Sequence, residues 1–155
     1  MLDVSRIDKN VLSKLYSAGW SETRACGTLD ECVRQLIADK GYDVFDYAYE
    51  IIKSFEGISI SFSKTEIEQL EIVSYYGDIE FSARDFGIDT VMEAEVYQQK
   101  YSEPVVPIGA INGQVILLVG ESKTIYADIG SKCEIVGNDI EDFLNKCVKV
   151  KRSND

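Results

Sequence analysis

The chain has 155 residues, of which 45% are apolar and 28% charged, and this composition suits one soluble domain with a sizeable core. Its net charge of −11 argues against nucleic-acid binding, and the absence of histidine excludes Ser-His-Asp and Cys-His catalysis. No apolar run approaches the roughly 20 residues that span a bilayer, and the N-terminus lacks a secretory signal, so we expect a cytoplasmic protein without membrane contact.

The first part of the chain has the apolar spacing of helices. Apolar side chains recur at helical intervals over residues 4–15, which predicts a first helix that ends near Gly19. Thr28 and Glu31 have the spacing of a capping box, which predicts the start of a second helix.

A third helix and a strand follow. Residues 44–55 are predicted to form the helix, with Asp43 as its N-cap and Gly57 as its stop. Residues 58–62 alternate apolar and serine side chains, the period-two pattern of a half-buried strand. Residues 64–76 could form either a helix or a strand, because the spacing of their apolar side chains fits both.

The second half of the chain is predicted to be mostly strand. A short strand over residues 79–81 precedes a helix over residues 89–101 and a turn at Pro104 and Pro107. Residues 115–119 are apolar throughout, which is typical of a central strand in a sheet.

Residues 120–123 have two possible interpretations, as part of a phosphate-binding loop or as the turn of a β-hairpin. A phosphate-binding loop needs glycines at two fixed positions before Lys-Thr, and this chain has Leu117 and Ser122 there. The residues that follow, 125–129, alternate like a strand and do not open a helix. We therefore predict a hairpin turn, followed by a third short strand over residues 133–136.

The last predicted element is a helix that begins at Asn138, with Glu141 as its capping partner. Helices at both ends of a central, mostly antiparallel, twisted sheet make an α+β fold. We expect one domain over residues 1–150 and a frayed tail over residues 151–155.

The acids are concentrated in the middle of the chain, between Thr65 and Gln99, which we call the acidic segment. It contains nine acids: Glu66, Glu68, Glu71, Asp78, Glu80, Asp85, Asp89, Glu93 and Glu95. Arg84 is its one base, so the segment carries −8 of the net −11. Such a surface attracts a basic protein partner by long-range electrostatics; its alternative role is a solvated face that maintains solubility.

Neither a metal site nor a cofactor site is predicted. The four cysteines form no Cys-x-x-Cys pair, and no histidine is present to complete a zinc site. Paired carboxylates, such as Asp46 and Glu50 one helical turn apart, leave a carboxylate enzyme as an alternative. That alternative predicts a concave pocket with acids of raised pKa, whereas we expect a non-enzymatic protein.

Several short motifs follow one another in a distinctive order. They are Ala18-Gly19-Trp20 with Arg24, then Phe55-Glu56-Gly57-Ile58, and later Val106-Pro107-Ile108-Gly109 ahead of the apolar strand. Over roughly residues 11–148 their order and spacing resemble the SUKH superfamily, in particular its third immunity-protein subfamily. The resemblance implies that the matched residues are structural and mark the scaffold: Gly19, Trp20, Arg24, Gly57, Pro107 and Gly109.

The resemblance also implies a function, that of a bacterial immunity protein that binds a cognate polymorphic toxin in the cytoplasm. Together with the acidic segment, it predicts a basic, nuclease-type toxin whose active cleft the protein occludes. The candidate toxin-binding residues are acids and paired tyrosines of the acidic segment: Glu66, Glu68, Glu71, Tyr75, Tyr76, Asp78, Glu80 and Asp85. The alternative is a non-enzymatic intracellular interaction adaptor of the same fold, and the oligomeric state stays open.

Overall fold

A computed structural model describes residues 2–62 and 77–148. The helices are α1 (Lys9–Ser17), α2 (Leu29–Lys40), α3 (Asp46–Phe55), α4 (Ala94–Tyr101) and α5 (Ile140–Val148). A short 3-10 helix at Val4–Arg6 precedes α1, and a π-helix at Arg84–Ile88 follows the second strand. The strands are β1 (Ser59–Phe62), β2 (Gly77–Phe81), β3 (Val105–Ile111), β4 (Val115–Gly120), β5 (Ile125–Asp128) and β6 (Cys133–Gly137).

The described strands form one antiparallel sheet in which each strand pairs with the next along the chain, from β1 to β6. β4 lies between β3 and β5, which confirms the predicted central strand, and the Lys123 N–H bonds to the Gly120 carbonyl at 2.9 Å in the predicted hairpin turn. Helices before and after this sheet confirm the α+β fold. Because neighbouring strands run in opposite directions, the β1–β2, β3–β4 and β5–β6 connections share one end of the sheet, here called the lower end.

One face of the sheet, the inner face, packs against α3 and the segment that precedes α2. Phe81 of β2 contacts Phe55 of α3 with ring centroids 4.9 Å apart, and Phe55 stacks on Trp20 at 6.1 Å. The Trp20 side chain is buried, and its Nε1 donates to Ser54 Oγ at 2.9 Å, so its polar atom is satisfied. This aromatic stack holds α3 against the sheet.

The end of α3 is closed by a side chain from far earlier in the sequence. The Arg24 guanidinium donates to the carbonyls of Ser54 at 2.9 Å and Glu56 at 2.5 Å, which lie at the helix C-terminus. Gly57 then adopts a φ of +90°, which a glycine tolerates and which lets the helix run directly into β1. The Glu56 carboxylate accepts the Ala83 N–H at 2.7 Å; burial raises the pKa of Glu56, and its backbone hydrogen bonds oppose that rise.

On the opposite, outer face of the sheet, α4 is attached through a buried carboxylate. Asp128 of β5 has a side chain 4% exposed and lies 2.7 Å from Lys100 Nζ, while the Tyr101 hydroxyl donates to it at 2.5 Å. Its other oxygen accepts the Gly130 N–H at 2.6 Å. Burial alone raises the pKa of Asp128, but the hydrogen bonds from Lys100, Tyr101 and Gly130 outweigh it and lower that pKa. The Tyr101 ring also packs on Tyr126, with centroids 4.4 Å apart.

The helix caps differ from the predicted ones. The N-cap position of α2 is Thr28, as predicted, but its side chain makes no capping hydrogen bond, and α3 begins three residues after the predicted cap, Asp43. The predicted cap at Asn138 is wrong by one residue. Asp139 Oδ1 accepts the Asp142 N–H at 2.8 Å, which is the expected capping bond shifted by one residue. Asp142 Oδ2 accepts the N–H of Asn138, the residue before the cap, at 2.8 Å.

The predicted turn at Pro104 and Pro107 is also wrong, because Pro107 lies inside β3. It pairs with Leu118 of β4, and the register shifts between it and Gly109, as in a β-bulge. On its other side the pairing of β3 with β2 begins at Gly109, so the missing N–H of the proline interrupts no ladder there. A Cβ on Gly109 would lie 2.2 Å from the Glu80 carbonyl oxygen, so the two strands approach too closely there for a side chain.

We predict that Gly109→Ala destabilises the fold by about 3 kcal/mol or more, because the added methyl group must displace the backbone of β2. The matched control is Gly27→Ala, where a Cβ would meet nothing within 4 Å. Urea denaturation should show the large loss for the first variant and a change within about 0.5 kcal/mol for the second. Equal stability of the two variants would contradict the close strand contact.

We predict that Asp128→Asn costs about 2 kcal/mol at neutral pH, because Lys100 loses its charge partner. The folded pKa of Asp128 lies below the ordinary value of 3.8, so its stabilising effect is complete above that value and is lost as pH falls toward the folded pKa. Urea denaturation at pH 7 and pH 3 should therefore show a smaller difference between the two proteins in acid. Asp39→Asn, at an exposed acid of α2, is the control. A difference that does not change with pH would contradict the assignment.

Candidate functional site

The outer face of β1 and β2 presents polar side chains. Ser59 and Ser61 on β1 pair with Glu80 and Asp78 on β2, respectively, so the four side chains share one face. Three of them are exposed, and Glu80 is half-buried. Ser61 Oγ donates to Asp78 Oδ1 at 2.7 Å. We call these four residues the acidic sheet face.

The acidic sheet face continues a row of side chains that crosses the sheet. Glu80 pairs with Ala110 of β3, which pairs with Ile116 of β4, and that residue pairs with Asp128 of β5. Toward the lower end, Asp78 exchanges hydrogen bonds with Asn112 in the β3–β4 turn: Asn112 Oδ1 accepts the Asp78 N–H at 2.9 Å, and the Asp78 carbonyl accepts the Asn112 N–H at 2.8 Å. Asp78 and Glu80 therefore lie on a backbone that is held on both sides, and on the same face as α4.

Asp85, a third candidate acid, lies elsewhere. It is exposed in the π-helix, an element that the sequence did not predict, beyond the upper end of β2. The Asp85 N–H donates to Ser82 Oγ at 3.0 Å. Gly87 of the same element packs against Leu36 of α2. The structure thus brings Asp78 and Glu80 together and places Asp85 past the other end of the strand.

Five other candidates lie outside the described residues: Glu66, Glu68, Glu71, Tyr75 and Tyr76. The residues that flank them, Phe62 and Gly77, pair with each other at the lower end of the sheet. Phe81, at the end of β2, is buried on the inner face.

The motif residues lie in the framework, apart from the acidic sheet face. Trp20, Arg24 and Gly57 meet around the end of α3, whereas Pro107 and Gly109 lie in β3. Gly19 precedes Trp20 and adopts a positive φ of +99°. Their contacts are with buried side chains and backbone carbonyls, which are contacts that support a fold.

Sequence reasoning did not assign Ser59 and Ser61 to the candidate surface. The signal was present, because the alternation of Ile and Ser over residues 58–62 already separates a buried side from an exposed one. What the alternation does not reveal is the neighbouring strand, so the pairing of these serines with Asp78 and Glu80 needed the tertiary structure.

Within residues 2–62 and 77–148, no group of three or more Cys, Asp or Glu side chains is placed to hold a metal ion. The same ranges contain no helix long and apolar enough to cross a membrane. The cysteines are free thiols, two of them buried. The acidic sheet face offers exposed carboxylates and hydroxyls.

Comparison with known proteins identifies the family. A family model described as SUKH-3 immunity protein matches residues 7–149, a range that includes α1 to α5 and the whole described sheet. No curated protein matches, and no solved structure matches. The chain belongs to the SUKH-3 immunity protein family.

Proposed function

We propose that this protein binds and neutralises a cognate bacterial polymorphic toxin through a surface that includes the acidic sheet face. The family supports the immunity role. The observation that carries the choice of surface is the pair Asp78 and Glu80, which project from one face of one strand beside two serines. In the described part of the chain, neither carboxylate forms an ion pair, so both are available to a basic partner.

The toxin is proposed to be of the nuclease type. An enzyme that cuts nucleic acid carries Lys and Arg side chains in a cleft that holds phosphates. Asp78 and Glu80 are two residues apart along a strand, which places their Cα atoms roughly 7 Å apart on one face. Carboxylates repeated along an extended backbone present negative charge in the manner of a nucleic-acid strand, so the acidic sheet face can occupy such a cleft and exclude the substrate.

The remaining acids of the acidic segment contribute at longer range. Asp85, Asp89, Glu93 and Glu95 are all exposed, and Arg84 is the base among them. A field of one sign accelerates the encounter with an oppositely charged protein by about 10- to 1,000-fold at low salt. An immunity protein must bind its toxin quickly and release it slowly. It must also be present where the toxin acts, which for a nuclease is the cytoplasm.

We predict that the double variant Asp78→Lys and Glu80→Lys associates about tenfold more slowly with the cognate toxin domain, and with a weaker salt dependence. The control is Glu22→Lys with Asp39→Lys, which changes the net charge equally at exposed acids outside the acidic segment. Stopped-flow association at low and high ionic strength measures both. Equal slowing of the two proteins would assign the effect to net charge, and no slowing in either would move the interface to another surface.

We predict that the protein displaces nucleic acid from a catalytically inactive form of the same toxin domain. A labelled oligonucleotide should dissociate in proportion to added protein, reaching completion near one equivalent, because the acidic sheet face and the phosphates use the same cleft. Fluorescence anisotropy measures the displacement. A stable complex of toxin, oligonucleotide and immunity protein would contradict occlusion, and a toxin without affinity for nucleic acid would contradict the nuclease assignment.

A further inference from the structure

A groove of about 480 Å³ lies on the outer face, between α4 and the lower ends of β4 and β5. We call it the α4 groove. Met92, Val96 and Tyr97 form its helical wall, and Ile116 and Ile129 form the strand side. Its lining is mainly apolar although it opens to solvent, on the same sheet face as Asp78 and Glu80.

The α4 groove leaves large apolar side chains in water. Val96 is 48% exposed and Ile129 is 42% exposed, whereas Ala94 and Tyr97 supply the buried contacts of α4 with the core. Val96 is thus unnecessary for attaching the helix. Apolar side chains exposed together in a concavity mark a contact site more often than scattered ones do.

One end of the α4 groove is closed by charges that neutralise each other. Lys100 Nζ lies 2.7 Å from Asp128 and also donates to the Gly130 carbonyl at 3.2 Å. Because these groups are already paired, an apolar side chain that enters the groove leaves no buried charge without a partner. The same network holds α4 in position, so the groove is largely formed before binding.

Exposed acids adjoin the groove-lining residues in the sequence. Glu93 immediately follows Met92, and Glu95 immediately precedes Val96. A base, Lys132, lies exposed in the β5–β6 turn. The start of α4 therefore carries two exposed acids, each adjacent in the chain to a groove-lining residue, which favours an occupant whose apolar group is surrounded by Lys or Arg.

A second apolar groove lies between α2 and α3. It measures about 370 Å³ and is lined by Val33, Ile37 and Tyr49, with Ile37 51% exposed. Asp30 and Arg34 line it as well, so its margin carries both signs of charge. Its exposed isoleucine resembles Val96 in exposure and helical setting, which makes it a matched control.

We propose that the α4 groove receives a large apolar side chain of the toxin, flanked by basic residues that face Glu93 and Glu95. This inference rests on the proposed function and adds a division of labour to it. Exposed acids at the rim govern the association rate, whereas an apolar anchor seated in a preformed groove governs the dissociation rate.

The test compares the binding of Val96→Gln and Ile37→Gln to the cognate toxin domain. Glutamine is neutral and favours helix, so each variant removes the apolar surface without changing charge or helix stability. We expect Val96→Gln to raise the dissociation rate at least tenfold with an association rate within about twofold, and Ile37→Gln to leave both rates unchanged. Val96→Leu, which keeps the apolar character, should retain slow dissociation. Surface plasmon resonance measures both rates.

The outcomes separate this inference from the proposed function. Normal dissociation of Val96→Gln, while the unaltered protein binds, would overturn the anchor and leave the immunity role intact. Faster dissociation of Ile37→Gln alone would place the anchor site between α2 and α3, and would contradict the assignment to the α4 groove as well. Failure of the unaltered protein to bind would contradict the proposed function and this inference with it.

Discussion

The end of α3 is the junction on which the rest of the structure depends, because there the chain passes directly from a helix into the first strand. The last carbonyls of a helix lack intrahelical partners, and here the Arg24 guanidinium satisfies those of Ser54 and Glu56. The Gly57 N–H bonds to the Phe81 carbonyl at 2.8 Å, which aligns β1 with β2. One junction thus joins the N-terminal helices, the sheet and, through the Glu56 carboxylate, the start of the π-helix.

This arrangement separates the framework from the surface available to a partner. The aromatic stack and the arginine cap occupy the inner face, and α4 is attached to the outer face by Asp128. The outer face over β1 and β2 presents hydroxyls and carboxylates to solvent. Side chains there can change without disturbing the packing of α3, which is how one scaffold can serve many partners.

Much of the secondary structure could be predicted because its signals are local. Helical spacing over residues 29–37 and alternation over residues 58–62 each depend on a few neighbouring side chains. β3 was missed because a proline reads locally as a turn, and Pro107 is tolerated in a strand only where the neighbouring pairing begins two residues later. The last helix shows the same limit: its two possible capping pairs have equal spacing. Glu141, the predicted partner, instead accepts the Asp3 N–H at 2.8 Å, a contact from the other end of the chain.

The sequence by itself determined the α+β class, the order of most elements, the strongly acidic segment and the motifs of the family, because each is a property of adjacent residues. The tertiary structure decided which acids lie together. It paired Asp78 with Ser61 and Glu80 with Ser59, and it placed Asp85 beyond the other end of the same strand. It also formed the α4 groove from residues of a helix and two strands. Strand register and the seating of a helix on a sheet arise from contacts between residues far apart in the chain, and local spacing carries no record of them.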